Sequence, residues 1–292
     1  MARTRGAMTA VAVAVGALAL VACDTRPQMN GAEPPATTTF QFPGPELRVH
    51  VQDKGDISFE PGSEKSLEVT RHRIGGGVQR TNRLALENSD LWLDDGCRET
   101  VRGACDNRYV VKVPPKVNLV VTVVDGDARA ERLDGALDLK VEHGDVRVDQ
   151  AAGSLKIATR DGDVSLTGLT GPQAEASSDH GDLRVDRATG TLKLTVKDGD
   201  IFLDGLSGAQ VEAKTENGDL RATFSAPPTK VDFQLAHGDA RVDLPAGQER
   251  YRLDVRTDSG DLSSSVDNDA TSERSVRVVA GAGDISLGRG RG

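Results

Sequence analysis

Short runs of strictly alternating apolar and polar residues fill most of this chain, and they stop at glycines. Val146-Arg147-Val148-Asp149 is one such run, and Leu192-Lys193-Leu194-Thr195-Val196 is another. A period of two sends successive side chains to opposite faces of a strand, so each run has one face for burial and one for water. No stretch of the body follows a helical period. The chain is therefore predicted to be all-β, with strands of about four to six residues between glycine corners.

The corners recur. Gly-Asp pairs begin at Gly126, Gly144, Gly162, Gly181, Gly199, Gly218, Gly238, Gly260 and Gly283, and a second glycine follows nine residues later at Gly135, Gly153, Gly171, Gly190, Gly208 and Gly247. Residues 144–180 and 181–217 align without gaps at 19 identities. Self-similarity at a short fixed period describes one small unit stacked many times. Two architectures fit. Asp125-Gly126, His143-Gly144, Asp161-Gly162 and Asn217-Gly218 are good two-residue hairpin signals and suit an antiparallel β-meander. The constant period favours a β-solenoid, a β-helix-like stack of short strands with Gly-Asp corners and a rung of either 18 or 37 residues.

The N-terminus reads differently. Arg3 and Arg5 precede an apolar run from Ala7 to Ala22, too short for a typical membrane-spanning helix. Its end, Leu20-Val21-Ala22-Cys23, resembles the bacterial lipoprotein signal, in which the cysteine receives the lipid. That resemblance implies residues 1–23 as a signal, lipidation of Cys23, and an exported protein held at a membrane by its anchor. Residues 24–44 carry Pro27, Pro34, Pro35 and Pro43 with Thr37-Thr38-Thr39, the composition of a tether. Residues 45–112 alternate irregularly, contain an isolated Gly55-Asp56, and read as an N-terminal capping subdomain; residues 113–292 form the repeat domain.

Composition narrows the function classes. Removing Arg3 and Arg5 with the leader leaves 34 basic against 45 acidic side chains, a net charge of −11, which disfavours nucleic acid as a partner. Aromatic residues make up 3% of the chain, too few for the ring-lined walls common in sugar clefts and drug-sized pockets. Cys97 and Cys105 close a short loop and are expected to form a disulfide in an exported protein.

The candidate chemistry sits at the corners. The residue before each glycine alternates as Asp125, His143, Asp161, His180, Asp198 and Asn217, and an aspartate follows each glycine. If every other unit stacked, Asp125, Asp161 and Asp198 would share one column and His143, His180 and Asn217 another. Asp125, Asp127, Asp161, Asp163, Asp198 and Asp200 could then bind Ca²⁺ as oxygen-rich turns do, giving a calcium-stabilised spacer. Otherwise Asp, Asn and His stand there because they tolerate positive φ and cap turns. The histidine column could be a Zn²⁺ site or a pH-sensitive stack. Polysaccharide-acting enzymes exist on β-helices, but here no carboxylate pair stands out from the repeat. No Gly-x-Ser-x-Gly, His-Glu-x-x-His or P-loop is present, and the chain is read as a non-enzyme.

Val111-Lys112-Val113-Pro114, then Leu119-Val120-Val121 and Asp125-Gly126-Asp127, followed by units such as Gly144-Asp145-Val146-Arg147-Val148, resemble the bacterial putative-adhesin family, a domain of unknown function built of β-strand repeats. The resemblance spans roughly residues 45 to 290. It implies a solenoid-like β fold on an exported or membrane-tethered protein, and no catalytic residues carry over. This chain departs from the family pattern at Pro115-Lys116 and in its cysteine-bearing insertion. The expected partner is an unidentified protein or polymer of the cell envelope.

Overall fold

The computed structural model describes residues 34–42, 44–75, 78–79, 83–94, 97–98, 105–208 and 210–290. Cys23 and the leader lie outside them. So do the side chains of Cys97 and Cys105, whose backbones lie in strands.

Among the described residues twenty-six strands carry the fold. The N-terminal part holds β1 (Ala36–Gln41), β2 (Glu46–Pro61), β3 (Ser66–Gly75), β4 (Val78–Gln79), β5 (Arg83–Glu87), β6 (Asp90–Asp94), β7 (Cys97–Arg98) and β8 (Cys105–Val113). Two-strand coils follow: β9 (Asn118–Asp125) with β10 (Ala128–Glu131), β11 (Leu137–His143) with β12 (Val146–Asp149), and β13 (Leu155–Asp161) with β14 (Val164–Leu169). Next come β15 (Gln173–His180) with β16 (Leu183–Ala188), β17 (Thr191–Asp198) with β18 (Ile201–Leu206), and β19 (Gln210–Asn217) with β20 (Leu220–Phe224). The last are β21 (Lys230–His237) with β22 (Ala240–Leu244), β23 (Arg252–Ser259) with β24 (Leu262–Ser264), and β25 (Ser275–Ala282) with β26 (Ile285–Arg289).

Each coil lies parallel and in register on its neighbours, as where Leu155 pairs with Ala174 and Asp161 with His180. The β-solenoid reading therefore holds and the meander does not. A Gly-Asp corner turns the chain into the opposite sheet, not into a hairpin. One rung is one Gly-Asp unit, so the 37-residue duplication spans two rungs.

The alternation supplies the core between the two sheets. On successive strands β16 and β17, which face each other across the core, Leu183, Val185, Ala188, Leu192, Leu194 and Val196 are all buried. Full burial of each valine or leucine stabilises by roughly 1.5–3 kcal/mol. A single coil cannot bury these side chains alone, so stacking and folding are one event.

Both ends break the sequential order. β2 bends through its middle and contributes to both sheets, with Gly55-Asp56 at the first corner. It lies between the β9/β10 coil and β6 with β8. At the other end β25/β26 lies between β21/β22 and β23/β24. The outermost coil at each end is thus not the terminal one in sequence. Antiparallel β5 extends one sheet beyond β6, and β3 then β1 extend the other beyond β8. Ala36–Gln41, inside the segment read as a tether, is β1 of this cap.

Candidate functional site

The corners are built from three stacked columns. The Gly-Asp glycines have φ of +132° to +151°. A Cβ at Gly181 would lie 2.3 Å from the Gly162 carbonyl oxygen of the coil beneath, and one at Gly144 2.2 Å from that of Gly126. Glycine is required twice there, for conformation and for closeness. The residues before these glycines do not have positive φ. Non-glycine residues in that region include Arg132, Gln150 and Arg187, at the opposite turn of the coil. Positive φ therefore does not explain the alternating Asp, His and Asn.

The following aspartates form a ladder. Asp145 N–H donates to Asp127 Oδ1 at 2.9 Å, Asp163 N–H to Asp145 at 2.8 Å, Asp182 N–H to Asp163 at 2.8 Å, and Asp200 N–H to Asp182 at 2.9 Å. The ladder runs from Asp56 through Asp219 and Asp239 to Asp284 and then Asp261, following the exchanged order of the last coils. Each carboxylate caps a main-chain N–H that the corner leaves without a backbone partner.

Because every coil stacks on the next, the residues before the glycines share one column and not two. Asp125, His143, Asp161, His180, Asp198, Asn217 and His237 succeed one another along the sheet edge. Asp161 receives His143 Nδ1 at 2.8 Å and His180 Nδ1 at 3.0 Å, while Asn217 Nδ2 donates to Asp198 at 2.7 Å. Asp125, Asp161 and Asp198 are held apart by the intervening histidines. Asp127, Asp163 and Asp200 stand in the neighbouring ladder. Among the described residues no three His, Cys, Asp or Glu side chains converge as metal ligands.

A feature missed in sequence lies on the solvent face of the sheet containing β9 to β25. Asp138, Lys156, Glu175, Lys193 and Glu212 stack in strict alternation of charge. Lys193 Nζ lies 3.0 Å from Glu175, which raises the lysine above its ordinary pKa through their hydrogen bond. Lys197 and Asp179, 2.7 Å apart, form another such pair, their hydrogen bond raising the lysine and lowering the carboxyl. In-register stacking would otherwise set like charges at strand spacing, about 4.8 Å. In this column the alternation has the two-rung period of the 37-residue duplication. It was legible in the aligned pairs Lys156 with Lys193 and Glu175 with Glu212 once the rung length was known.

The opposite sheet presents Arg129, Arg147, Arg184, Arg221 and Arg241 along one outward column, with the aspartate ladder on one side. Asp149 and Asp243 accept from Arg147 and Arg241 on the other side. A shallow groove of about 510 Å³ runs over its C-terminal part past Asp219, Arg221, Asp239 and Arg241. A cavity of about 520 Å³ among the C-terminal loops is lined by Glu249, Arg250, Asp267, Asp269 and Arg289. There Arg289 donates to the Pro245 and Glu249 carbonyls, and Asp269 accepts from Thr271 and Arg250. The Thr271 bonds hold Asp269 below the ordinary carboxyl range. These side chains brace loops and leave no aligned nucleophile and base.

A family profile described as Toastrack DUF4097 matches residues 46–287. No curated protein matches the chain. Among solved structures the chain is similar to a putative adhesin from Bacteroides fragilis, at 13% identity, 88% of this chain, 97% of that one and a TM-score of 0.41. A putative adhesin from Parabacteroides distasonis aligns at 11% identity over 87% and 97%, with a TM-score of 0.42. A putative cell adhesion protein from Clostridium sporogenes aligns at 12% identity over 88% and 100%, with a TM-score of 0.25.

Proposed function

The chain belongs to the Toastrack DUF4097 family, and from that premise we propose that it is a lipid-anchored, extracytoplasmic protein with a non-catalytic binding or adhesion role at the cell envelope. The observation that carries the binding role is the pair of long sheet faces, each with charged side chains in fixed columns across successive coils. Such a surface suits a repetitive, extended partner, an envelope polymer or an elongated protein, because one contact geometry recurs at every rung. Aromatic poverty directs the interaction toward charge and hydrogen bonding.

The anchor is tested by labelling cells with an alkyne fatty acid. Label on the chain, lost in Cys23→Ser, supports it; an unlabelled chain refutes it. The binding role is tested by retention on immobilised envelope fractions. Retention that weakens with salt and falls when Lys156 and Lys193 are both changed to Gln supports the face as the contact. No retention on any fraction, together with turnover of an envelope polysaccharide, would replace this reading with an enzymatic one.

A further inference from the structure

We propose that the C-terminal end of the solenoid docks a second copy of this chain, edge to edge and antiparallel, about a two-fold axis at Thr257. Among the described residues β23 has a strand partner on one side only, β25. Arg252 N–H donates to the Arg274 carbonyl, on the β25 side, so the next residue's main chain faces outward. Leu253 N–H indeed points outward and is taken by the Asn268 side chain at 3.0 Å. The same alternation directs the main chain of Val255 and Thr257 to the open side, beyond the reach of that cap. The core is also unfinished here. Leu253 and Val255 are only half-buried, and Leu262 on β24 is 47% exposed. The opposite end of the stack, by contrast, is covered by added antiparallel strands.

Charge selects the occupant. The outward face of β23 reads Arg252, Asp254, Arg256, Asp258, all exposed. Two β23 edges paired parallel would have to turn one sheet over, setting the charged outward row of one copy on the core side of the other, whereas an antiparallel pair keeps both charged rows on the solvent face. An antiparallel copy centred on Arg256 would face Arg256 with itself and Asp254 with Asp258. Centred on Thr257, it faces Arg256 with Asp258 of the second copy and Asp258 with its Arg256, and leaves the Asn268 cap in place. The contact closes as a dimer, since a two-fold pairing of β23 with β23 uses up the same edge on both copies.

Sedimentation velocity of the full chain across a wide concentration range tests this. The expected result is a reversible monomer–dimer equilibrium with no larger species. Arg256→Asp or Asp258→Arg alone should weaken dimerisation by about tenfold, since each places like charges opposite one another twice. The double variant R256D/D258R should restore it, because the reversed pair is again complementary at this register and at no other. Both positions are exposed, and unchanged circular dichroism verifies the fold of each variant. A monomer at every concentration, growth into long oligomers, or a double variant no better than the singles would each overturn the proposal.

Discussion

Replacing Gly181 by alanine separates the two demands made on a corner glycine. A Cβ there would sit 2.3 Å from the Gly162 carbonyl oxygen and 2.6 Å from its carbon, on a backbone with φ of +135°. Backbone held in a region essentially reserved for glycine costs about 1–3 kcal/mol, and overpacking in a tight site about 1–3 kcal/mol more. The clash is with main chain, so relief requires prising two coils apart. That strains the bonds from Gly162 N–H to the His180 carbonyl at 2.9 Å and from Gly181 N–H to the Asp198 carbonyl at 3.0 Å. Together the loss should be about 3–6 kcal/mol, a large share of the 5–15 kcal/mol typical of a domain. Two controls divide it. Gly168 has φ of +66°, but a Cβ would meet nothing nearer than Gln150 Cγ at 3.5 Å, ordinary contact, so Gly168→Ala reports conformation alone, at about 1 kcal/mol. Gly153 lies outside the positive-φ set, yet a Cβ would lie 2.1 Å from the Gly135 carbonyl, so Gly153→Ala reports contact alone. Urea unfolding followed by circular dichroism measures all three. If Gly181→Ala costs no more than Gly168→Ala, close stacking is not what holds glycine at the corner.

Three further outcomes are expected. Lys193→Glu puts a third carboxylate between Glu175 and Glu212 and should lower the melting temperature, with recovery in high salt; a loss unchanged by salt would contradict the charge-alternation account. Tyr251 is fully buried, its hydroxyl has no hydrogen-bond partner among the described residues, and burial raises its pKa. Tyr251→Phe should therefore gain about 1 kcal/mol at neutral pH. Because the folded value is the higher one, the native tyrosine's contribution is complete below about pH 10 and is lost as pH rises through the folded pKa, a loss absent in the variant. Deleting residues 275–292 removes the coil on which β23 and β24 pair, so hydrogen exchange should show 251–264 unprotected while β19 to β22 stay protected. Retained protection of β23 would show that it can pair directly on β21.

How much was legible in the sequence depended on whether a feature is local. Alternation within Val146–Asp149 already specifies a strand and its buried face. The glycines mark the corners for the same reason, since both are properties of a few consecutive residues. The fate of the carboxylate at Asp145 was not legible, because its partner, the N–H of Asp163, is one rung away. Likewise the columns of Asp161 and His180 read as separate until the register joined them.

The sequence by itself thus determined an all-β stack, its corner chemistry and its one-sided burial, because periodicity acts through neighbours in the chain. Only the tertiary structure decided that coils stack at every rung, that Asp and His alternate within one column, that β2 lies between the β9/β10 coil and β6 with β8, and that β25/β26 lies between β21/β22 and β23/β24. Strand pairing is chosen by which buried faces and edge hydrogen bonds can all be satisfied at once. At the two ends that choice joins segments the repeat does not connect.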